Sequence, residues 1–204
     1  MATEYNPNIF DDGDVHIVRL GYFLPSEAGY SLVLDDRIGG HKRGFGLEPQ
    51  FFDLLVSLDP TESDRNFTQD EQALLIWMAD QGILSLIGVH ADLVDFNMIP
   101  VSRQPLSLVE ELEQGYRIRV GDGEPFTISE IAFRFLPLID GLRTLGEIAA
   151  LVERDTLANT ADRQMAMQVE HDHGRNFGSL LREEVFHFIG QVTRSGAMTF
   201  EPES

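Results

Sequence analysis

The 204-residue chain predicts an α+β protein in two similar modules, each a small β-hairpin or three-stranded sheet followed by two or three helices. Three observations carry this expectation. The stretch Leu138-Ile-Asp-Gly-Leu-Arg-Thr-Leu-Gly-Glu-Ile-Ala-Ala-Leu-Val152 joins two apolar-faced helices through a tight turn. Short alternating strand patterns precede each helical stretch. The pattern of the first half is written again in the second.

The turn is the most specific feature. Ala132, Phe135, Leu136 and Ile139 fall at i, i+3, i+4 and i+7, the spacing of one apolar helix face. Asp140-Gly141 then stops that helix, since glycine takes the left-handed conformation that helix ends favour. Thr144 with Glu147 forms a capping box, in which the hydroxyl bonds the N–H of Glu147 and the carboxylate reaches back to the cap. Leu145, Ile148, Ala149 and Val152 continue into the next helix. Two short helices thus meet as a helix-turn-helix with their apolar faces inward.

In chain order, residues 1–14 read as a polar arm. Its Asp11-Asp12-Gly13-Asp14 cluster lacks the further ligands and closing Glu of a calcium loop. Residues 15–90 make the first module. Val15–Phe23 alternates loosely as a strand. Gly29–Asp36 is a second strand ended by the Gly39-Gly40 turn, and Phe45–Leu47 is a short third. Phe51, Leu54, Leu55 and Leu58 keep helical spacing, with Pro49 in the first turn, where its missing N–H does no harm. Asp59-Pro60 ends that helix and an acidic loop follows. Thr68 with Glu71 opens a second helix through Leu74, Leu75, Trp77 and Met78, Gly82 closes it, and Ile83–Val89 reads as a strand. Residues 91–114 form a connector with Pro100, Pro105 and a short helix at Leu106–Leu112.

Residues 115–204 restart the programme. Gly115–Asp122 parallels Gly29–Asp36, and Phe126-Thr-Ile128 parallels Phe45-Gly-Leu47. Phe51, Leu54, Leu55 and Leu58 become Ala132, Phe135, Leu136 and Ile139, a constant displacement of 81. Val185, Phe188, Ile189 and Val192 build a last helix closed by Ser195-Gly196, and Ala197–Phe200 mirrors Ile83–Val89. So many matches in order point to an internal duplication. The copies differ. The first lacks a middle helix between Asp59 and Thr68. The second carries a polar insertion at about 154–182, read as one more helix followed by loop.

Composition narrows the functions. With 43% hydrophobic residues and 14 Phe the chain can bury a real core. A formal charge of −19 repels phosphate backbones and anionic bilayers, so neither nucleic acid nor a membrane is an expected partner. The absence of cysteine removes disulfides, thiolate catalysis and Cys-based metal sites. The first residues do not form a signal peptide and no apolar run is long enough to span a bilayer, so the expected location is the cytoplasm.

A small hairpin followed by three helices, with Leu138, Ile139, Asp140, Gly141, Arg143, Thr144, Ile148 and Ala149 between the first two, resembles the PqqD family. These are winged-helix-like recognition elements for precursor peptides of ribosomal-peptide modification. The Val185–Gly196 helix completes a resemblance that covers about 80 residues of the C-terminal half once the insertion is set aside. The N-terminal half shares it only through the repeat. The resemblance implies two winged-helix-like modules. It also implies a non-catalytic adaptor that binds a leader peptide and presents it to a partner modifying enzyme. The leader would add a strand to the hairpin edge, where unpaired backbone groups supply hydrogen bonds. Carried onto this chain, the peptide-binding residues are Phe126, Thr127 and Ile128 on the edge, and Phe186, Gly190 and Thr193 on the adjoining helix. Phe186 has a second reading, as core packing against the terminal strand.

Other chemistries fit less well. His171-Asp-His173 has two-residue spacing suited to a strand and lacks a third ligand with motif spacing, so it reads as a solvated loop and no metal is expected. No Gly-x-Ser-x-Gly elbow or phosphate loop occurs, which argues against an enzyme and leaves catalytic residues and cofactors at none. His41-Lys42-Arg43 is a compact basic patch, either a solvated turn or a contact for an acidic peptide. The helices suited to reading DNA carry no Lys or Arg over Thr68–Gln81 or Leu145–Val152. Two alternatives to the adaptor stand: an obligate scaffold subunit without peptide binding, and, more remotely, a winged-helix transcription regulator.

Overall fold

The structure, a computed structural model, describes residues 9–10, 14–27, 29–36, 41–88, 91–102 and 104–202. Among them ten strands and six helices form an α+β fold with small antiparallel sheets. The chain divides into two compact units, Met1–Ala91 with Thr199–Ser204, and Asp92–Met198. No helix of the described residues is long and apolar enough to cross a membrane.

The first unit runs β1 (Val15–Arg19), β2 (Tyr22–Ser26), β3 (Gly29–Asp36), β4 (His41–Leu47), α1 (Pro49–Ser57), α2 (Gln69–Asp80) and β5 (Leu84–Gly88). β1 pairs with β5, and β2, β3 and β4 form a three-stranded sheet in that order. The expected single strand Val15–Phe23 is two strands. Gly21 breaks it with φ 73°, and a Cβ at that position would strike the Val33 carbonyl. β4 starts before the predicted Phe45 because its pairing continues to Asp36 opposite His41. Leu32, Leu34, Leu55, Leu75, Met78 and Leu84 fill the core. Thr68 caps α2 through the predicted box, its hydroxyl accepting from Glu71 N and its own N–H donating to the Glu71 carboxylate at 2.8 Å. No helix lies between Leu58 and Thr68, as expected from the sequence. The Asp11–Gly13 part of the acidic cluster and the Gly39-Gly40 turn lie outside the described residues.

The second unit begins with a 3-10 turn at Leu93–Asp95 and β6 (Met98–Ser102). Its sheet is β7 (Leu106–Leu112), β8 (Gly115–Val120) and β9 (Phe126–Ile128), again in sequence order and antiparallel. α3 (Glu130–Phe133), a 3-10 turn at Leu136–Leu138, α4 (Leu145–Ala158), α5 (Thr160–His173) and α6 (Phe177–Arg194) follow; β10 (Met198–Pro202), which ends the described chain, belongs from Thr199 onward to the first unit.

Three expectations are corrected here. Leu106–Leu112 is a strand, not a short helix, because β8 offers it a ladder: Leu106 pairs with Val120 and Leu108 with Ile118, while Glu110 faces Arg117 with an ion pair at 3.4 Å. The helix expected over Ala132–Ile139 is broken into α3 and a 3-10 turn containing Pro137, which has no N–H to give an α-helical ladder. Ala132 and Phe135 are nonetheless buried, as their spacing required. Finally, 154–182 is helical almost throughout. α4 runs on to Ala158. α5 then follows, ending at Gly174 with φ 65°, and Asn176 caps α6 by accepting from Ser179 N at 2.8 Å. Phe177, Leu181, Val185, Phe188, Ile189 and Val192 bury one continuous face of α6, and Phe188 meets Phe135 edge-on at 5.4 Å between centroids.

The two units build the same hairpin. Tyr30 pairs with Leu47 and Leu32 with Phe45 in one; Tyr116 pairs with Ile128 and Ile118 with Phe126 in the other. Tyr30 stacks on Phe52 at 4.1 Å and 6°, and Tyr116 stacks on Phe133 at 3.9 Å and 23°. The stacking phenylalanines keep the displacement of 81 found in the sequence. Each sheet is thus tied to the helix after it by the same aromatic contact.

Gly146, in the first turn of α4, donates its N–H to the Phe96 carbonyl at 2.9 Å, and a Cβ there would collide with the Leu93 carbonyl. Helix propensity alone makes alanine better than glycine by about 1 kcal/mol. Gly146→Ala is nevertheless expected to destabilise the fold by about 1–3 kcal/mol, since backbone rather than a flexible side chain must move aside. Urea unfolding of the variant and the wild type measures the difference.

Candidate functional site

The β7-β8-β9 sheet has two edges, and they are not equivalent. β7 carries a register shift between Leu108 and Glu110, which leaves Val109 out of the pairing, and it exposes Glu110 and Glu111. A bulge and charges both oppose addition of another strand. β9 is short, uncharged and regular, with Thr127 exposed, Phe126 half-buried and Ile128 fully buried. The Ile128 carbonyl is turned toward β8, where it is the first atom that a Cβ on Gly115 would meet. Backbone direction alternates along an antiparallel strand, so the N–H and C=O of Thr127 point away from β8, toward the open edge.

Beside the end of β9, where Ser129 caps α3 by accepting from Ala132 N at 2.9 Å, a groove of about 600 Å³ opens. Ile131, Ala166, Phe177 and Leu180 make its apolar walls. Arg134 crosses it to Asp162 at 2.8 Å and reaches the Thr156 hydroxyl at 3.4 Å. Glu113 and Glu130 stand exposed at its mouth. α6 packs against β9, and Ser129 and Glu130, which directly follow that strand, line the groove.

The site residues expected on α6 are placed differently. Phe186 is 7% exposed and packs on Phe96 at 4.9 Å between centroids, Gly190 is buried, and Thr193 is half-buried. Phe96 comes from the segment read as a connector, and it covers the face of α6 on which Phe186 lies. Phe186 is therefore a core residue, packed on Phe96 and not presented to a ligand. The edge trio Phe126–Ile128 and the trio Phe186, Gly190 and Thr193 do not form one open site. The groove residues Arg134, Thr156, Asp162, Ala166, Phe177 and Leu180 were not singled out from the sequence. One signal pointed to them: Phe177 and Leu181 extend the helical phase of Val185 and Phe188 back into the insertion.

Other singled-out residues resolve as structure. His171-Asp-His173 ends α5 instead of lying in a loop, and positions two apart on a helix do not share a face. Among the described residues no three His, Asp or Glu side chains converge on a point suited to a metal ion. His41-Lys42-Arg43 lies on β4, not in a turn, with Lys42 and Arg43 exposed. In the helix-turn-helix, Asp140 accepts from Leu142 N at 2.9 Å and Arg143 N at 3.1 Å, Gly141 has φ 72°, and the Thr144–Glu147 box is formed. Those two backbone bonds, with Arg143 beside it, hold the Asp140 carboxyl below its ordinary range.

Comparison with protein-family models, with curated proteins and with solved structures finds no match.

Because folding lowers the pKa of Asp140, its contribution is present above the unfolded-state value of about 3.9 and is lost as pH falls through the folded value. Thermal midpoints of the wild type and Asp140→Ala are expected to differ at pH 7 and to converge below about pH 4. A pH-independent gap would show that the turn does not depend on this carboxylate.

Proposed function

We propose that the protein is a non-catalytic recognition adaptor of the cytoplasm, which takes up an extended precursor or leader peptide on the edge of β9 and presents it to a partner modifying enzyme. The observation that carries this is the open β9 edge, with the Thr127 backbone turned outward and no charge or bulge to blunt it. The PqqD-like pattern of the second unit supports the same reading. Its hairpin is followed by the short α3 and a 3-10 turn, the Asp140–Thr144 turn and the capped helix α4. The −19 charge weighs against nucleic acid as the ligand. We further infer that the repeated hairpin arose by duplication and that the first unit serves the architecture more than the recognition.

Thr127 offers a sharp test. Its N–H faces away from β8, so proline there removes no bond of the existing ladder but deletes the donor that an incoming strand would use. Titration calorimetry of the full chain against precursor peptides encoded beside its gene is expected to give binding that Thr127→Pro weakens at least about tenfold, or ~1.4 kcal/mol. The far-ultraviolet spectrum should stay unchanged. Wild-type binding absent at tens of micromolar, or unaffected by the proline, would sink the proposal.

A further inference from the structure

The groove next to β9 is lined on one side by the β7–β8 turn and the residues that follow β9, and on the other by helices α4, α5 and α6. Ala166 and Asp162 come from α5, Thr156 from the part of α4 that runs into the insertion, and Phe177 and Leu180 from the early turns of α6. Its size falls in the range of sites that enclose ligand groups rather than single waters. Ile131, Ala166, Phe177 and Leu180 make most of the wall apolar, the Arg134–Asp162 pair crosses the groove, and Glu113 and Glu130 stand at its rim. Arg134 is met by Asp162 at 2.8 Å, which leaves Glu113 and Glu130 as the rim charges that a ligand would face.

The geometry points to this groove as an anchor site for a short apolar stretch of the peptide, flanked by Lys or Arg. The inference rests on the strand-addition reading and names the chemistry of its ligand. Ser129, a groove residue, stands two positions beyond Thr127. A strand rises about 3.3 Å per residue, so a peptide paired at Thr127 reaches the groove within about two or three of its own residues. Its apolar side chains leave water against Ile131, Phe177 and Leu180, and its cationic neighbours meet Glu113 and Glu130. The −19 charge of the chain acts in the same direction at longer range, repelling acidic segments and drawing in basic ones.

The test uses a displayed library of random dodecapeptides selected on the full chain. Enriched sequences are expected to place Leu, Ile, Phe or Met beside Lys or Arg, and their affinity should fall as salt rises. Two variants probe the groove: Ala166→Trp fills it, and the double variant Glu113→Lys with Glu130→Lys inverts its rim at exposed positions. Each should weaken the selected peptides about tenfold or more. If Ala166→Trp fails to fold, the rim variant decides alone. Peptides that lose binding in Thr127→Pro but bind both groove variants as the wild type would overturn the anchor site and leave strand addition standing. Peptides insensitive to Thr127→Pro but lost in the groove variants would keep the groove and remove the edge. No enrichment at all overturns both.

Discussion

Gly115 starts β8 with φ 114°, and the Ile128 carbonyl occupies the space its Cβ would need. Any other residue at this position would face both a backbone strain and a collision with main chain. This close approach sets the register of β8 against β9, and the register sets much else. It puts Tyr116 over Phe133, so the sheet is held on α3 by an aromatic stack. It puts Ile128 into the core and leaves Thr127 outside. Because backbone direction alternates along an antiparallel strand and the Ile128 carbonyl faces β8, it also decides that Thr127 presents its N–H and C=O to the open edge. The first unit keeps the same Gly-Tyr start, with Gly29 at φ 129° and Tyr30 on Phe52, but nothing lies where a Cβ on Gly29 would sit. The shared register is thus held more tightly in the second unit.

The inserted helix is attached in a different manner. Few of its described side chains are buried, Ala166 being one, and the Arg134–Asp162 pair that links it to α3 is 32% and 26% exposed. A half-exposed ion pair of this kind contributes at most about 1 kcal/mol. The core face of α6, with Leu181, Val185, Phe188 and Ile189 all fully enclosed, carries far more. Arg134 and Asp162 therefore position α5 more than they stabilise the unit, and α5 can form a wall of the groove without being part of the core. Its polar composition, which made the insertion read as partly loop, is what a helix with one narrow buried contact requires.

What the sequence disclosed was local. Thr68, Thr144 and the Asp140-Gly141 turn act through bonds to neighbours two or three residues away, and each formed as the spacing indicated. β3 begins at the predicted glycine and ends where expected, and β9 has the predicted bounds. What it concealed depends on residues far along the chain. Leu106-Ser-Leu-Val-Glu-Glu-Leu112 satisfies a helical spacing through Leu106, Val109 and Leu112 and a strand alternation through Leu106 and Leu108, and only β8 decides between them. Phe186 lay on a plausible ligand-facing side of α6 until Phe96, ninety positions earlier, covered it. The groove draws on α3, α4, α5 and α6 together, so no single stretch of sequence could announce it.

The two hairpins share a register but not an edge. β4, the outer strand of the first, exposes Lys42 and Arg43 and has glycine at 44 and 46. Charged side chains on an outer strand discourage pairing with a further chain, and glycines weaken the extended conformation that pairing needs. β9 has neither feature, and its outward backbone position is occupied by Thr127, a β-branched residue suited to an extended strand. Next to it lies the groove, three of whose walling helices, α4, α5 and α6, follow Thr144, where the described residues of the first unit pass from α1 to α2 through a loop. Of these two outer strands, β9 is the one that carries neither charge nor glycine. The same hairpin is thus built twice, and an edge strand free of charge and glycine together with helix α5 are what set the second unit apart from the first.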